Sequence, residues 1–274
     1  MPVELGDSAR ALFDRLVRQG AAYDLSHAMA PGMPVYGPHP PYGITLYRRH
    51  GDPHPAPRAG RSSFANEQIV TSAHAATHID ALGHFSRAGL VHGGGAAAEI
   101  EATGGLTALD ASEIGPLWRR AVLVDVAGHR GVPALEAAEP VGADELHAVT
   151  EAAGVAVEPG DVVLVRTGWA RYWHQPDLFN NAGAGWPGPD DTAARWLIEH
   201  RVFAAGSDTP AFECIPSPGD SVHALLLVDS GIFIIENLNL EELAAASVTE
   251  FLLVALPLRI VGATGSPFRP LALC

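Results

Sequence analysis

Short apolar runs recur along the second half of the chain and alternate with segments that carry helical signals. The runs are rich in β-branched residues and are bounded by turn-forming residues, a pattern typical of buried strands. They cover Ala121–Val126, Asp161–Arg166, Val202–Gly206, Ile232–Ile235 and Phe251–Leu256. The alternation of such strands with helices indicates an α/β fold with a mixed sheet.

Five segments between and before these runs predict helices. They cover residues 8–19, 143–153, 189–200, 221–228 and 241–246. The second of them is followed by Gly154, the residue type that most often terminates a helix. The third begins with Pro189 and two acidic residues, which suit the first turn and the positive end of the helix dipole.

Residues 31–60 carry repeated proline and glycine and predict a long irregular loop. Such a loop inside a compact domain is typical of a lid or a binding loop, or otherwise of a merely mobile one. Its histidines, which we expect to be solvated, are His39, His50 and His54. Short strands are predicted on either side of the loop, over Tyr23–Ser26 and Phe64–Thr71.

Composition narrows the class of protein. The 274 residues contain no internal repeat or linker-like tract, so residues 1–274 are predicted to form a single domain. The 31 acidic and 17 basic residues give a formal charge of −14, which disfavours nucleic acid and anionic membranes as partners. Without a leader-like or membrane-length apolar segment, we expect a cytoplasmic protein that acts on a small molecule.

The stretch from Thr71 to Phe85 carries the densest chemistry. His74, His78, Asp80 and His84 follow the spacing H-x3-H-x-D-x3-H. Two imidazoles and a carboxylate are a donor set that suits a catalytic zinc, manganese or iron ion with coordination positions left open. The alternative is that these histidines are unrelated to one another. Three histidines and an aspartate within eleven residues disfavour that alternative.

The local backbone around these residues is not a plain helix. On an ideal helix His74 and His78 share a face, but Asp80 points about 200° away from His78. On an extended strand all four side chains would lie on one face. We therefore predict a strand end that runs into a turn and a short helix, with the ligands converging at the bend.

A second candidate cluster lies in the stretch from Ser221 to Leu238. His223 precedes an apolar run, and Glu236 directly follows the predicted strand Ile232–Ile235. A charged side chain at the end of a buried strand has to be solvated, paired or bound to a metal. Pairing with backbone amides or an arginine is the alternative to metal ligation here.

These residues resemble the cyclase-like metal-dependent hydrolases, a family that includes bacterial kynurenine formamidase and isatin hydrolase. The family pattern H-x-G-T-H-x-D-x3-H matches His74–His84, except that Ala76 replaces the glycine. The resemblance extends over roughly residues 22–260. Its other parts, in family order, are Arg166–Trp169, Gly206–Pro210, His223 and Glu236–Leu238.

The resemblance implies a swivelling β/β/α fold, assembly as a homodimer or homotetramer, and one or two zinc or manganese ions per chain. The ligands it implies are His74, His78 and Asp80 for a first ion and Asp80, His223 and Glu236 for a second. It implies that His84 transfers the proton. Ala76 adds a Cβ where glycine lets the backbone approach closely, so we expect a local shift in geometry.

The implied reaction is hydrolysis of a C–N bond in a small aryl formamide or cyclic amide by metal-activated water. One alternative is a non-haem Fe(II) oxygenase that uses His78, Asp80 and a distant histidine, which would leave His74 and His84 without a role. Another is a non-catalytic metal-binding protein, which would have no need of a proton carrier at His84.

Overall fold

The computed structural model describes residues 20–53, 62–181 and 183–274, together with residues 10, 11, 14 and 18. Its α-helices are α1 (Ala97–Ile100), α2 (Val126–Arg130), α3 (Ala143–Ala153), α4 (Pro176–Asn180), α5 (Asp191–Glu199) and α6 (Glu241–Ala245). A π-helix covers Ala224–Ser230, and short 3₁₀ segments cover Leu82–His84, His92–Gly94, Ala111–Glu113 and Trp169–Tyr172. The predicted helix over residues 8–19 falls almost wholly outside the described residues.

The strands of the described residues are short and numerous. In chain order they are β1 (Ala22–Asp24), β2 (Gly43–Arg48), β3 (Asn66–Val70), β4 (His78–Asp80), β5 (Glu101–Ala102), β6 (Gly105–Leu106), β7 (Leu117–Asp125), β8 (Pro140–Val141), β9 (Val162–Arg166), β10 (Gly188–Pro189), β11 (Ala204–Ser207), β12 (Phe233–Glu236), β13 (Glu250–Ala255), β14 (Gly265–Pro267) and β15 (Leu271–Leu273).

Nine of these strands form one mixed sheet in the order β1-β15-β13-β7-β9-β11-β12-β4-β14. The four central strands β7, β9, β11 and β12 run parallel. Antiparallel strands flank them on both sides, and β4 pairs with β12 on one side and β14 on the other. The predicted α/β fold with a mixed sheet is thus confirmed.

Both faces of the central sheet are covered. Along β7, Val122 and Val124 join an apolar cluster with α3 and α5, while Ala121 and Leu123 join a cluster on the other face with β13. A strand buried on both faces has no polar positions to alternate, so it reads as a continuous apolar run. Each fully buried Val or Leu stabilises the fold by about 1.5–3 kcal/mol. The short strand β4 pairs with β12 at the side of this core and is held in place by it.

Most predicted elements of the second half agree with the structure. Helix α3 has the predicted bounds and ends at Gly154, whose φ of +66° is the left-handed conformation that glycine adopts readily. The helix predicted over 221–228 is instead the π-helix Ala224–Ser230. No helix among the described residues combines the length and apolar character needed to cross a membrane.

The proline- and glycine-rich stretch 31–60 differs from the predicted irregular loop. Strand β2 lies inside it and pairs antiparallel with β3, with Ile44 opposite Ile69. Residues on both faces of this two-stranded ribbon are exposed. Apolar and polar residues alternate in β2 only over Ile44–Leu46, a run too short to predict a strand within a stretch rich in proline and glycine. Of the stretch, residues 54–60 lie outside the described part of the chain.

Candidate metal centre

Strand β4 supplies the centre of the site. His78 and Asp80 lie two residues apart on it, so their side chains share one face. Glu236, the last residue of β12, is the cross-strand partner of His78, and Gly265 of β14 is the partner of Asp80. His78, Asp80 and Glu236 are only 1%, 0% and 6% exposed. A turn precedes β4 and the 3₁₀ segment Leu82–His84 follows it, close to the predicted strand, turn and short helix.

His74 reaches the same point from the turn before β4. Its Nδ1 lies 2.7 Å from Asp80 Oδ1, and its Nε2 lies 2.8 Å from the hydroxyl of Thr264. The ring packs against Gly265, where an added Cβ would come within 2.7 Å of the His74 Cε1. Because contacts that short do not occur in proteins, only glycine at position 265 leaves room for the His74 ring in this place.

His223 approaches from the residue just before the π-helix. Its Nε2 lies 3.2 Å from Glu236 Oε1 and 3.7 Å from Asp80 Oδ2. Its Nδ1 lies 3.0 Å from Glu213, a carboxylate that also accepts the main-chain N–H groups of Val222 and His223. Glu213 was not predicted as a site residue. The one feature of the sequence that points to Glu213 is its position between Phe212 and Cys214, where a buried carboxylate would need a hydrogen-bond or ion-pair partner.

The structure therefore brings the five predicted ligands together in two groups that share Asp80. In each group the candidate donor atoms lie within 4.8 Å of one another. We call them the first ligand group (His74, His78, Asp80) and the second ligand group (Asp80, His223, Glu236).

The hydrogen bonds around the imidazoles fit a cation. His78 Nδ1 lies 2.8 Å from the carbonyl oxygen of Ala76, as His223 Nδ1 lies beside Glu213, which leaves each Nε2 facing the carboxylates. Histidines that bind metals almost always hold their second ring nitrogen by such a hydrogen bond. Among the described residues, Asp80 Oδ2 is buried without a hydrogen-bond partner, while Asp80 Oδ1 and His78 Nε2 face each other at 3.5 Å. The donor set and the unpartnered Asp80 oxygen thus fit a divalent metal ion.

The charges of the site also favour a cation. Burial by itself would raise the pKa of Asp80, but the nearby His84 and His74 outweigh it and lower that pKa well below its usual value. Burial and Asp80 would likewise raise the pKa of Glu236, yet hydrogen bonding to His223 and His78 lowers it. Both carboxylates are therefore ionised at neutral pH in a place closed to solvent.

His84 lies beside the ligand groups without belonging to either. Its ring centroid is 4.1 Å from that of His74 and 6.4 Å from that of His223. Burial, supported by the charges of His74 and His223 and partly opposed by Asp80, lowers the pKa of His84 to about 4. The side chain is consequently neutral at pH 7 and able to accept a proton.

Ala76 occupies the glycine position of the family pattern. Its φ of +52° lies in the left-handed region that favours glycine. Its methyl group is buried against an aromatic cluster whose buried members are Trp169, Trp173, Phe179 and Trp186. A glycine would adopt this conformation without strain, and in this chain Ala76 adopts it.

The prediction that the loop histidines are solvated is wrong for His39. This side chain is half-buried, its ring lies 5.5 Å from that of His74, and its Nδ1 is enclosed without a partner in the described structure. Tyr36 contacts both His39 and Trp186 edge-on. His50 is exposed as predicted, beside Ser63. The segment around His39 thus lies against the candidate metal centre.

Comparison with known proteins agrees with this arrangement. Residues 23–214 match the model of the family described as "Putative cyclase". The chain is 27% identical over 269 residues to cyclase-like protein 1 of Arabidopsis thaliana, covering 97% of this chain and 89% of that protein. It is 32% identical over 126 residues to isatin hydrolase of Roseibium aggregatum, covering 42% and 45% of the two chains.

Solved structures show the same fold. The crystal structure of a novel cyclase superposes with a TM-score of 0.83 at 27% identity and covers 98% of this chain and 94% of that one. The cyclase-like architecture expected from the resemblance is confirmed by this match. The chain therefore has the fold of a hydrolase family and carries two candidate metal-ligand groups within it.

Proposed function

The chain belongs to the cyclase family, and on that premise we propose that it hydrolyses C–N bonds in small aryl formamides or cyclic amides with a divalent metal. The observation that carries the proposal is the environment of Asp80: a buried carboxylate with three imidazole nitrogens within 3.7 Å of its oxygens and with Oδ2 left without a hydrogen-bond partner. An isatin hydrolase among the relatives supports the choice of a cyclic amide.

Each side chain has a defined task in this reaction. A divalent cation would polarise the substrate carbonyl and lower the pKa of water from about 15.7 toward about 7. His84, neutral and next to His74, accepts the proton of the attacking water and returns it to the leaving nitrogen. Acid–base work of this kind typically contributes about 10²–10⁴-fold. Ring opening of a cyclic amide is the same chemistry with a tethered leaving group.

Zinc or manganese suits the donors best. Both ligand groups mix neutral imidazole with carboxylate, a combination that both ions accept. The first ligand group contributes one negative charge and the second contributes Glu236 in addition. We propose that the first ligand group holds one ion and that His223 and Glu236, with Asp80 as the bridge, hold another.

An aromatic substrate fits the surroundings of the site. The aromatic cluster packs on Ala76, in the turn between the ligands His74 and His78. Tyr36 and His39 approach from the loop side, and Tyr36 contacts Trp186 of the cluster. The exposed ring of Tyr36 offers a flat apolar contact for a planar ring with few charges, in keeping with a chain charge of −14 that disfavours polyanions.

The two alternatives explain fewer of these contacts. An oxygenase site would leave His74 idle, although its Nδ1 lies 2.7 Å from Asp80. It would also leave the neutral His84 beside the ligands without a task. A purely metal-binding protein has the same difficulty with His84.

We also propose that the protein forms homo-oligomers through the β2–β3 ribbon. A two-stranded ribbon is marginally stable by itself, and this one exposes Ile44, Leu46, Tyr47, Ile69 and Val70. Sedimentation of wild type and of Ile44→Lys tests this: a monomeric variant supports the ribbon as the interface, and unchanged sedimentation excludes it.

An activity assay tests the proposed function directly. The protein is stripped with a chelator, reloaded separately with zinc, manganese or iron(II), and offered N-formyl aromatic amines and isatin. We expect hydrolysis that requires zinc or manganese and disappears with chelator. Oxygen uptake with iron(II) and no hydrolysis would favour the oxygenase, and stoichiometric metal binding without any turnover would favour a non-catalytic protein.

A further inference from the structure

Asn237 ties the C-terminal end of β12 to the turn that carries the ligands. The residue is 7% exposed and directly follows Glu236. Its side-chain Nδ2 donates to the carbonyl oxygen of Ala76 at 3.1 Å, and its own carbonyl accepts from the hydroxyl of Thr77 at 2.6 Å. Its main-chain N–H donates to Thr209 at 3.1 Å. Side chain and main chain of one residue thus hold two consecutive residues of the ligand turn.

The carbonyl oxygen of Ala76 has a second contact. His78 Nδ1 lies 2.8 Å from it. With this oxygen as acceptor, Nδ1 carries a proton, and Nε2 faces Asp80 at 3.5 Å and Glu236 at 3.2 Å. The direction of one carbonyl therefore decides which nitrogen of His78 is turned toward the ligand groups.

That carbonyl belongs to a strained residue. Ala76 has φ +52° and Asn237 has φ +55°, and the left-handed conformation costs an alanine about 1 kcal/mol or more. Asparagine tolerates this conformation better than most residues. An alanine in the left-handed turn needs something outside the turn to hold it there, and within the described structure the side chain of Asn237 bonds its carbonyl.

We propose that Asn237 is a positioning residue for the ligand His78: it holds Ala76 in the left-handed conformation and so directs the Ala76 carbonyl at His78 Nδ1. This inference rests on the metal site of the proposed function. It adds a residue that binds neither metal nor substrate and that acts through the backbone of the turn.

Two variants and a control test the proposal. Asn237→Gly keeps the left-handed backbone and removes the donor, and Asn237→Asp keeps the shape while replacing the donor with a carboxylate oxygen. Asn239→Asp, two residues further along the same segment, is the matched control. Circular dichroism and thermal melting of the metal-free proteins verify folding, so either test variant suffices if the other fails to fold.

The first readout is the hydrogen bond between His78 Nδ1–H and the Ala76 carbonyl in metal-free protein, followed by exchange of this proton with water in ¹⁵N NMR of the histidine side chains. We expect slow exchange in wild type and in the control, and faster exchange in both Asn237 variants. The second readout is zinc affinity, measured by competition with a chromophoric chelator. We expect binding weaker by about 10–100-fold, the usual effect of losing a group that orients a ligand. Wild-type proton exchange and wild-type affinity in the Asn237 variants would overturn the proposal.

Rescue tests the route through Ala76. Glycine adopts the left-handed conformation without strain, so Ala76→Gly in the Asn237→Gly background should recover part of the zinc affinity. An equal loss with alanine or glycine at position 76 would overturn this route, because coupled residues should show a non-additive effect. If wild-type protein bound no metal, the proposed function would fail, while the exchange of the His78 Nδ1 proton would still decide the role of Asn237.

Discussion

The two ligand groups share Asp80 but are assembled in opposite ways. The first group draws His74 and His78 from the same turn and strand as Asp80. The second draws His223 and Glu236 from segments far along the chain, which only the sheet brings beside Asp80. In the first group, the His74 ring is held by the hydroxyl of Thr264 and fits into the space above Gly265. The second is held by another carboxylate, Glu213, at His223.

This difference has a chemical consequence. Burial would lower the pKa of His223, but hydrogen bonds to Glu213 and Glu236 raise it well above its usual value. A proton therefore competes with a cation for the Nε2 of His223. Burial would lower the pKa of His78 as well, but Glu236 and Asp80 raise it, so a proton competes with a cation at both groups. A supporting carboxylate orients a ligand at the cost of making it more basic.

The largest effect is expected from Asp80, the residue that both ligand groups share. We expect Asp80→Asn to lose metal from both groups and to lower kcat/KM by about 10⁴-fold or more, since water activation depends on the metal. Elemental analysis after dialysis and a hydrolysis assay measure the two effects. Full metal occupancy in this variant would contradict the assignment of Asp80 as the bridge.

The proton-transfer residue should separate chemistry from metal binding. We expect His84→Ala to retain the metal content of wild type and to lower kcat by about 10²–10⁴-fold. The reason is that His84 lies beside both groups and belongs to neither. The hydrolysis assay and elemental analysis are run on the same preparation, and a near-native kcat would remove His84 from the mechanism.

Metal stoichiometry tests whether the second group is a site at all. We expect wild type to saturate at two ions per chain and Glu236→Gln to saturate at one, because the amide removes a charge from the second group and leaves the first intact. Isothermal titration with zinc at pH 8 measures this. A plateau at one ion in wild type under metal excess would mean that Glu236 serves a one-metal centre.

A pair of supporting residues should distinguish the groups one at a time. Gly265→Ala forces the His74 ring to move and should weaken metal binding at the first group, whereas Glu213→Gln removes the charge beside His223 Nδ1 and should weaken binding at the second. Each effect should be about 10–100-fold, and each variant serves as the control for the other in the same titration. Equal effects of both variants at both groups would show that the groups act as one unit.

The smallest effect concerns stability around the first group. His27 stacks on Trp173 at 4.0 Å and its main-chain N–H donates to the Thr77 hydroxyl. Burial, together with the charge of His174, lowers the pKa of His27 from 6.5 to about 4. The unfolded chain binds the proton first, so stability is full above pH 6.5 and is lost as pH falls toward 4.

We expect this histidine to contribute a loss of about 2 kcal/mol between pH 7 and pH 5. Urea unfolding at the two pH values measures it, and His27→Gln should reduce the loss by about that amount. His50→Gln, a change at an exposed histidine, is the matched control. An identical pH dependence in wild type and His27→Gln would show that His27 does not titrate on unfolding.

The sequence alone determined the parts of the protein that depend on neighbours along the chain. The spacing of His78 and Asp80 matches the two-residue period of a strand, so their shared face follows from local geometry. The apolar runs of β7 and β9 indicate strands covered on both faces, and the start and end signals of α3 are local as well. Glu236 and His223 were candidates from their places beside a buried strand and an apolar run, whereas their union with Asp80 was implied only by the family resemblance.

Tertiary structure decided everything that depends on distant neighbours. Glu213, Gly265 and Asn237 become site residues only because folding places them against His223, His74 and Ala76. The loop of residues 31–60 places His39 against the candidate metal centre. Its proline and glycine content predicts turns but does not predict where the loop packs. No periodicity records such contacts, because a pairwise contact across the sheet depends on the packing of the whole chain and not on the spacing of residues within one segment.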